Sequence, residues 1–118
     1  MEIDHSTDIV DKVISYVKDN FSRSFKLEDI IAYCGYSASQ VRRLFVKRTG
    51  CSPMKYISLL RLQEVCHLLC NSDYKIYEIS GMVGYEDPYY LSRAFKRKYG
   101  ISPQGYRKRC LVSKIESK

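Results

Sequence analysis

Apolar residues recur at helical spacing along almost the whole chain. Ile9, Val10, Val13, Ile14, Val17 and Phe21 step by one, three and four residues, which predicts an amphipathic helix from Thr7 to about Asn20. Leu27, Ile30, Ile31 and Cys34 mark a short helix stopped at Gly35, a residue suited to the left-handed backbone that follows a helix end. Ser37 and Gln40 form a capping box ahead of a helix with Val41, Leu44 and Phe45 on its inner face and Gly50 at its end. Ser52 and Pro53 then supply an N-cap and a first-turn proline. They open a long helix carrying Tyr56, Ile57, Leu60, Val65, Leu68 and Leu69 and reaching about Cys70. Ile76, Ile79 and Val83 make another short helix closed by Gly84, and Asp87 with Pro88 caps one that contains Leu91, Ala94, Phe95 and Tyr99 and ends at Gly100. Ser102 and Pro103 open a last short helix through Tyr106 and Arg107. The pattern predicts an all-α chain of seven helices.

Two parts of this pattern repeat. Gly35, Tyr36, Val41, Arg43, Phe45, Lys47, Gly50, Ser52, Pro53 and Tyr56 match Gly84, Tyr85, Leu91, Arg93, Phe95, Arg97, Gly100, Ser102, Pro103 and Tyr106 in order. One extra residue in the second turn, at Asp87, shifts the register. Each copy reads as helix, tight glycine turn, helix, which is the helix-turn-helix arrangement whose second helix can lie in a major groove.

Charge sharpens that reading. The 118 residues carry a net charge of +7, and the excess sits in the two copies. Residues 35 to 56 hold Arg42, Arg43, Lys47, Arg48 and Lys55 with no acid, and residues 84 to 109 are again strongly basic. A polyanion touched at two places fits this distribution; basic decoration of solvated helix faces is the plainer alternative. With Val41, Leu44 and Phe45 inward, helical geometry turns Ser39, Arg42, Arg43 and Val46 outward, and the same construction exposes Tyr89, Ser92, Arg93 and Lys96. Ser39, Gln40, Arg42, Arg43, Tyr89, Ser92 and Arg93 are the candidate base readers, because arginine presents two parallel donors to guanine and hydroxyls donate or accept at base edges. Lys47, Lys55, Lys96, Arg97 and Arg107 are the candidate phosphate contacts.

Other chemistries find less support. Five cysteines, at 34, 51, 66, 70 and 110, form no CxxC pair, so a secreted disulfide framework is not expected and the thiols read as small buried apolar groups in a reducing compartment. Cys66, His67 and Cys70 lie together on a helix, but nothing is placed to complete a zinc site, and no metal or cofactor is expected. There is no nucleophile elbow, phosphate-cradling glycine loop or paired-acid constellation, so the chain does not read as an enzyme. No apolar run is long enough for a membrane span, and the acidic start MEIDHSTD is no secretory signal, which points to a cytoplasmic protein without membrane contact.

From about Asp8 to Arg107 the chain resembles the DNA-binding domain of the AraC/XylS transcription regulators of bacteria. The second copy carries the family signature: Ile76, Glu78, Ile79, Gly84, Tyr85, Asp87, Pro88, Tyr90, Leu91, Arg93, Phe95, Lys96, Gly100, Ser102, Pro103, Tyr106 and Arg107. The resemblance implies two helix-turn-helix subdomains, 7–52 and 71–109, joined by a linker helix at 53–70 and followed by a basic tail at 110–118. It places recognition helices at Ala38 to Thr49 and Pro88 to Tyr99, and it makes Arg61 the linker arginine. It also implies sequence-specific binding of double-stranded DNA by one recognition helix in each of two adjacent major grooves. Its usual partners are RNA polymerase and a separate sensor or dimerisation domain. The chain departs from the family at Ile31, Ser80 and Val65, where alanine is usual, and at Val46, where lysine is common.

Two other functions compete. A helix-turn-helix can serve as a protein-interaction module, with the eleven tyrosines as contact surface, although most of these tyrosines fall at core positions of the repeat. A similar domain accompanies methyl-accepting cysteines in alkylation repair, but that would need zinc-binding cysteines before the first helix, and residues 1 to 33 contain none. The short tail and plain start favour an excised output domain over a stand-alone regulator.

Overall fold

The computed structural model describes residues 5–23 and 25–116. Among them are seven α-helices and no strand: α1 (Ser6–Asp19), α2 (Leu27–Cys34), α3 (Ala38–Thr49), α4 (Pro53–Asn71), α5 (Ile76–Met82), α6 (Pro88–Tyr99) and α7 (Pro103–Glu116). The chain divides into two compact units at Leu60 and Arg61, within α4.

In the first unit, Ile9, Val13 and Val17 of α1 close against Ile30 and Cys34 of α2, Val41 and Phe45 of α3, and Ile57 of α4, all buried. In the second, Leu62, Val65 and Leu69 of α4 meet Ile79 of α5 and Leu91 and Phe95 of α6, with Val83 just after α5. The first turns of α4 and α7 do the same work in their own units. Phe45 packs edge-to-face on Tyr56 at 5.2 Å and 81°, and Phe95 on Tyr106 at 5.4 Å and 80°. α4 therefore supplies the closing helix of one core and, through its later turns, the opening helix of the other.

Local chemistry explains the boundaries. Gly35 and Gly84 adopt φ of 76° and 85°, a backbone that an L side chain would strain, so each copy turns where its glycine stands. Ser52 Oγ accepts from Lys55 N at 3.3 Å and Ser102 Oγ from Gly105 N at 3.0 Å, capping the helices begun by Pro53 and Pro103. Arg61 donates from Nη1 to the Val83 carbonyl and so fastens α4 to the end of α5; burial pulls its guanidinium below the ordinary value.

The last helix does not stop at Arg107 but runs to Glu116, so the stretch read as a basic tail is helical as far as it is described; residues 117–118 lie outside the described residues. It is held by Lys114, whose ammonium donates to the Cys70 carbonyl, and by a Cys70–Cys110 disulfide with Cα atoms 5.4 Å apart. The reading of every cysteine as a reduced thiol therefore fails for this pair. Cys34 is a free, buried thiol, while Cys51 and Cys66 are free and half-buried.

The unusual alanine replacements are accommodated unevenly. Val65 is fully buried in the second core and Ile31 packs at the edge of the first. Ser80, 1% exposed, has a hydroxyl without a hydrogen-bond partner among the described residues.

Candidate nucleic-acid interface

The two helices expected to be recognition helices, α3 and α6, are set by caps at their first turns. Gln40 N donates to Ser37 Oγ at 3.2 Å, and Ser37 N donates back to Gln40 Oε1 at 3.2 Å. Asp87 Oδ1 accepts from Tyr89 N at 2.8 Å and Tyr90 N at 3.1 Å. Val41, Leu44 and Phe45 of α3 and Leu91 and Phe95 of α6 are buried, and this fixes which faces meet solvent.

On α3 the exposed face presents Ser39, Gln40, Arg42 and Arg43, then Val46 and Lys47. The amide oxygen of Gln40 is already committed to the cap. On α6, Tyr89 and Tyr90 are exposed with rings 6.1 Å apart at 70°, Arg93 is exposed, and Ser92 is half-buried. The Arg93 guanidinium lies 5.5 Å from the centre of the Tyr89 ring. Lys96 and Arg97 follow in the last turn, and Lys55 is exposed at the start of α4. None of Arg42, Arg43, Lys47, Arg93, Lys96 and Arg97 pairs with a carboxylate among the described residues. Each unit thus has a free cationic helix face.

Arg107 is placed differently from the expected phosphate contacts. It is half-buried, and its Nε and Nη2 donate to the carbonyls of Leu69 at 3.1 Å and Ser72 at 3.3 Å. A positive group at the C-terminal end of α4 satisfies carbonyls that the helix leaves unpaired. Arg48 and Lys98, not among the expected contacts, are exposed and equivalent in the repeat, and they add one basic position to each copy. The repeat offset itself was the signal for them.

The tyrosines split between the two roles considered for them. Tyr16, Tyr36 and Tyr56 pack on the first core and Tyr85, Tyr99 and Tyr106 on the second, while Tyr33, Tyr74, Tyr77, Tyr89 and Tyr90 are exposed. Cys66 lies near Tyr99 and Tyr106: burial and then the thiol raise the Tyr99 phenol, and the thiol's hydrogen bond leads in raising Tyr106. Among the described residues no three His, Cys, Asp or Glu side chains gather as a metal site, and no helix is long and apolar enough to cross a membrane.

The family model described as a helix-turn-helix domain matches residues 30–109. The raffinose operon transcriptional regulatory protein of Pediococcus pentosaceus is 36% identical over 103 residues, 87% of this chain and 37% of that protein. The lactose operon transcription activator of Staphylococcus xylosus is 28% identical over 107 residues, 91% of this chain and 38% of its own length. The chain therefore spans well under half of these relatives. Among solved structures, a transcriptional regulator with an AraC-type DNA-binding domain from Chromobacterium violaceum has a TM-score of 0.82 at 27% identity, covering 89% of this chain and 94% of the other. The DNA-binding domain of AdpA, solved in complex with a target DNA, has a TM-score of 0.79 at 28% identity, covering 86% and 90%.

Proposed function

The chain belongs to the helix-turn-helix family of AraC-type transcription regulators, and on that premise we propose that it binds double-stranded DNA sequence-specifically through α3 and α6. The observation that carries this reading is the pair of repeat-equivalent arginines, Arg43 and Arg93, each exposed and without a carboxylate partner among the described residues, on the outer face of a capped helix. Ser39, Gln40 and Arg42 in one unit and Tyr89 and Ser92 in the other flank them at base-edge positions. Lys47, Lys55, Lys96 and Arg97, joined by Arg48 and Lys98, take the phosphates, and Arg107 leaves that set because it caps α4. The chain acts as a binding protein and not as an enzyme, in the cytoplasm where bacterial DNA lies. RNA polymerase and a sensor or dimerisation domain are its proposed protein partners.

Selection of duplexes from a random pool, followed by gel shifts at two salt concentrations, tests the reading. A selected duplex should bind more tightly than a random one, and both complexes should weaken steeply with salt. Salt-insensitive binding, or none, would favour the protein-interaction reading. Each helix reads its own major groove, so inserting five base pairs between the selected half-sites should reduce binding to that of one half-site. Unchanged affinity would overturn the bipartite part.

A further inference from the structure

Tyr89 and Arg93 are four residues apart on the solvent face of α6, a spacing that brings side chains together on a helix. The guanidinium carbon sits 5.5 Å from the ring centre, within the range of a cation–π contact. The backbone that carries the ring is anchored, since Tyr89 N donates to Asp87 Oδ1 at 2.8 Å, and the Tyr90 ring stands edge-on to the Tyr89 ring at 6.1 Å. A guanidinium resting on an aromatic face keeps its N–H edges free, and those edges donate the two parallel hydrogen bonds that identify guanine. An arginine ordered before binding also loses less side-chain freedom when it docks. The first copy lacks this device. Its equivalent pair is Ser39 and Arg43, so Arg43 has no ring four residues before it.

We infer that Tyr89 is a positioning residue for Arg93, and that the half-site under α6 is consequently discriminated at its guanine more strictly than the half-site under α3. This rests on the proposed function, since it requires α6 to enter a major groove.

The test uses the full chain and a duplex selected from a random pool, compared with the same duplex carrying adenine in place of the guanine read by α6. Tyr89 is 64% exposed, so its replacement should leave the fold intact, which circular dichroism can check. Arg93→Ala should abolish the guanine preference. Tyr89→Ala should lower it by about 2- to 5-fold, while Tyr89→Phe, which keeps the ring, should lower it less than Tyr89→Ala does. In the Arg93→Ala background, Tyr89→Ala should change the preference no further. Ser39→Tyr should raise the guanine preference of the other half-site by about 2- to 5-fold. If Arg93→Ala abolishes the preference and Tyr89→Ala leaves it whole, or weakens all duplexes equally, the positioning role is overturned and base reading stands. If Arg93→Ala itself leaves the preference unchanged, base reading by α6 fails and the positioning role falls with it.

Discussion

The phenol of Tyr36 donates to Asp8 Oδ2 at 2.9 Å, tying the turn between α2 and α3 to the first turn of α1. Lys12 braces the same pair, with its ammonium 3.4 Å from Asp8 Oδ2, 3.2 Å from the Cys34 carbonyl oxygen and over the Tyr36 ring at 5.5 Å. The Tyr36 hydrogen bond, foremost, and Lys12 hold the Asp8 carboxyl below its ordinary 3.8 against the opposing push of desolvation. A carboxyl depressed in the folded state contributes stability above its unfolded value and loses it as pH falls through the folded value. The same hydrogen bond raises the Tyr36 phenol, whose contribution is present below pH 10 and lost as pH rises through the folded value. Tyr36→Phe should therefore flatten the acid limb of stability. Urea midpoints at pH 7 and near pH 3 check it: the gap between native protein and variant should shrink at the lower pH, and a constant gap would remove the linkage.

Positions where a residue's role is local were legible in the sequence. The limits of α2, α3 and α6 follow from Gly35, from Ser37 and Gly50, and from Asp87, Pro88 and Gly100, each acting through its own turn. The end of α7 was not legible, because Leu111, Val112 and Ile115 are exposed and leave no buried stripe, and no glycine or proline stops the helix. The Cys70–Cys110 pairing bridges 40 residues, a distance at which spacing in one sequence says nothing. Arg107 looked like its basic neighbours because its destination, the carbonyl end of α4, is set by tertiary packing alone. On the recognition helices, the outward placement of Arg43 and Arg93 followed from periodicity, whereas the position of the Arg93 guanidinium over the Tyr89 ring depends on side-chain rotamers.

Ser80 offers a gain in stability. Its hydroxyl is buried without a partner among the described residues, and such a group retains the cost of its lost hydration. Ser80→Ala removes that cost and leaves a cavity no larger than one oxygen. The variant should be more stable by about 1 kcal/mol, with DNA affinity unchanged. A lower thermal midpoint would show that the hydroxyl is satisfied in solution.

Arg107→Ala should separate a folding role from a phosphate role. Losing two hydrogen bonds from a charged donor to the end of α4 should cost about 1 to 3 kcal/mol of stability. Arg107→Lys should recover little of it, because an ammonium lacks the planar fork that reaches both carbonyls. The salt dependence of DNA binding, measured below the unfolding transition, should keep its native slope. A slope reduced by about one would return Arg107 to the phosphate contacts.

Arg43 and Lys96 stand on outward faces of equivalent helices but should fail differently when truncated. Arg43 lies in the first half of α3, where a recognition helix meets base edges, and Lys96 lies in the last turn of α6, beside Arg97 and Lys98. Arg43→Ala should cost about 1 to 3 kcal/mol on a selected duplex, and much less on random duplex, because a bidentate contact exists only where its guanine is present. Lys96→Ala should weaken both duplexes by the same factor and lower the slope of log affinity against log salt by about one, because it releases one counterion fewer. Since Val46 replaces a cation at the matching position of α3, the reverse change Val46→Lys should steepen the slope by about one and leave sequence preference alone. Binding isotherms on selected and random duplexes at three salt concentrations decide all three variants. If Arg43→Ala weakens both duplexes equally and lowers the slope, α3 holds the backbone and reads no base through that residue.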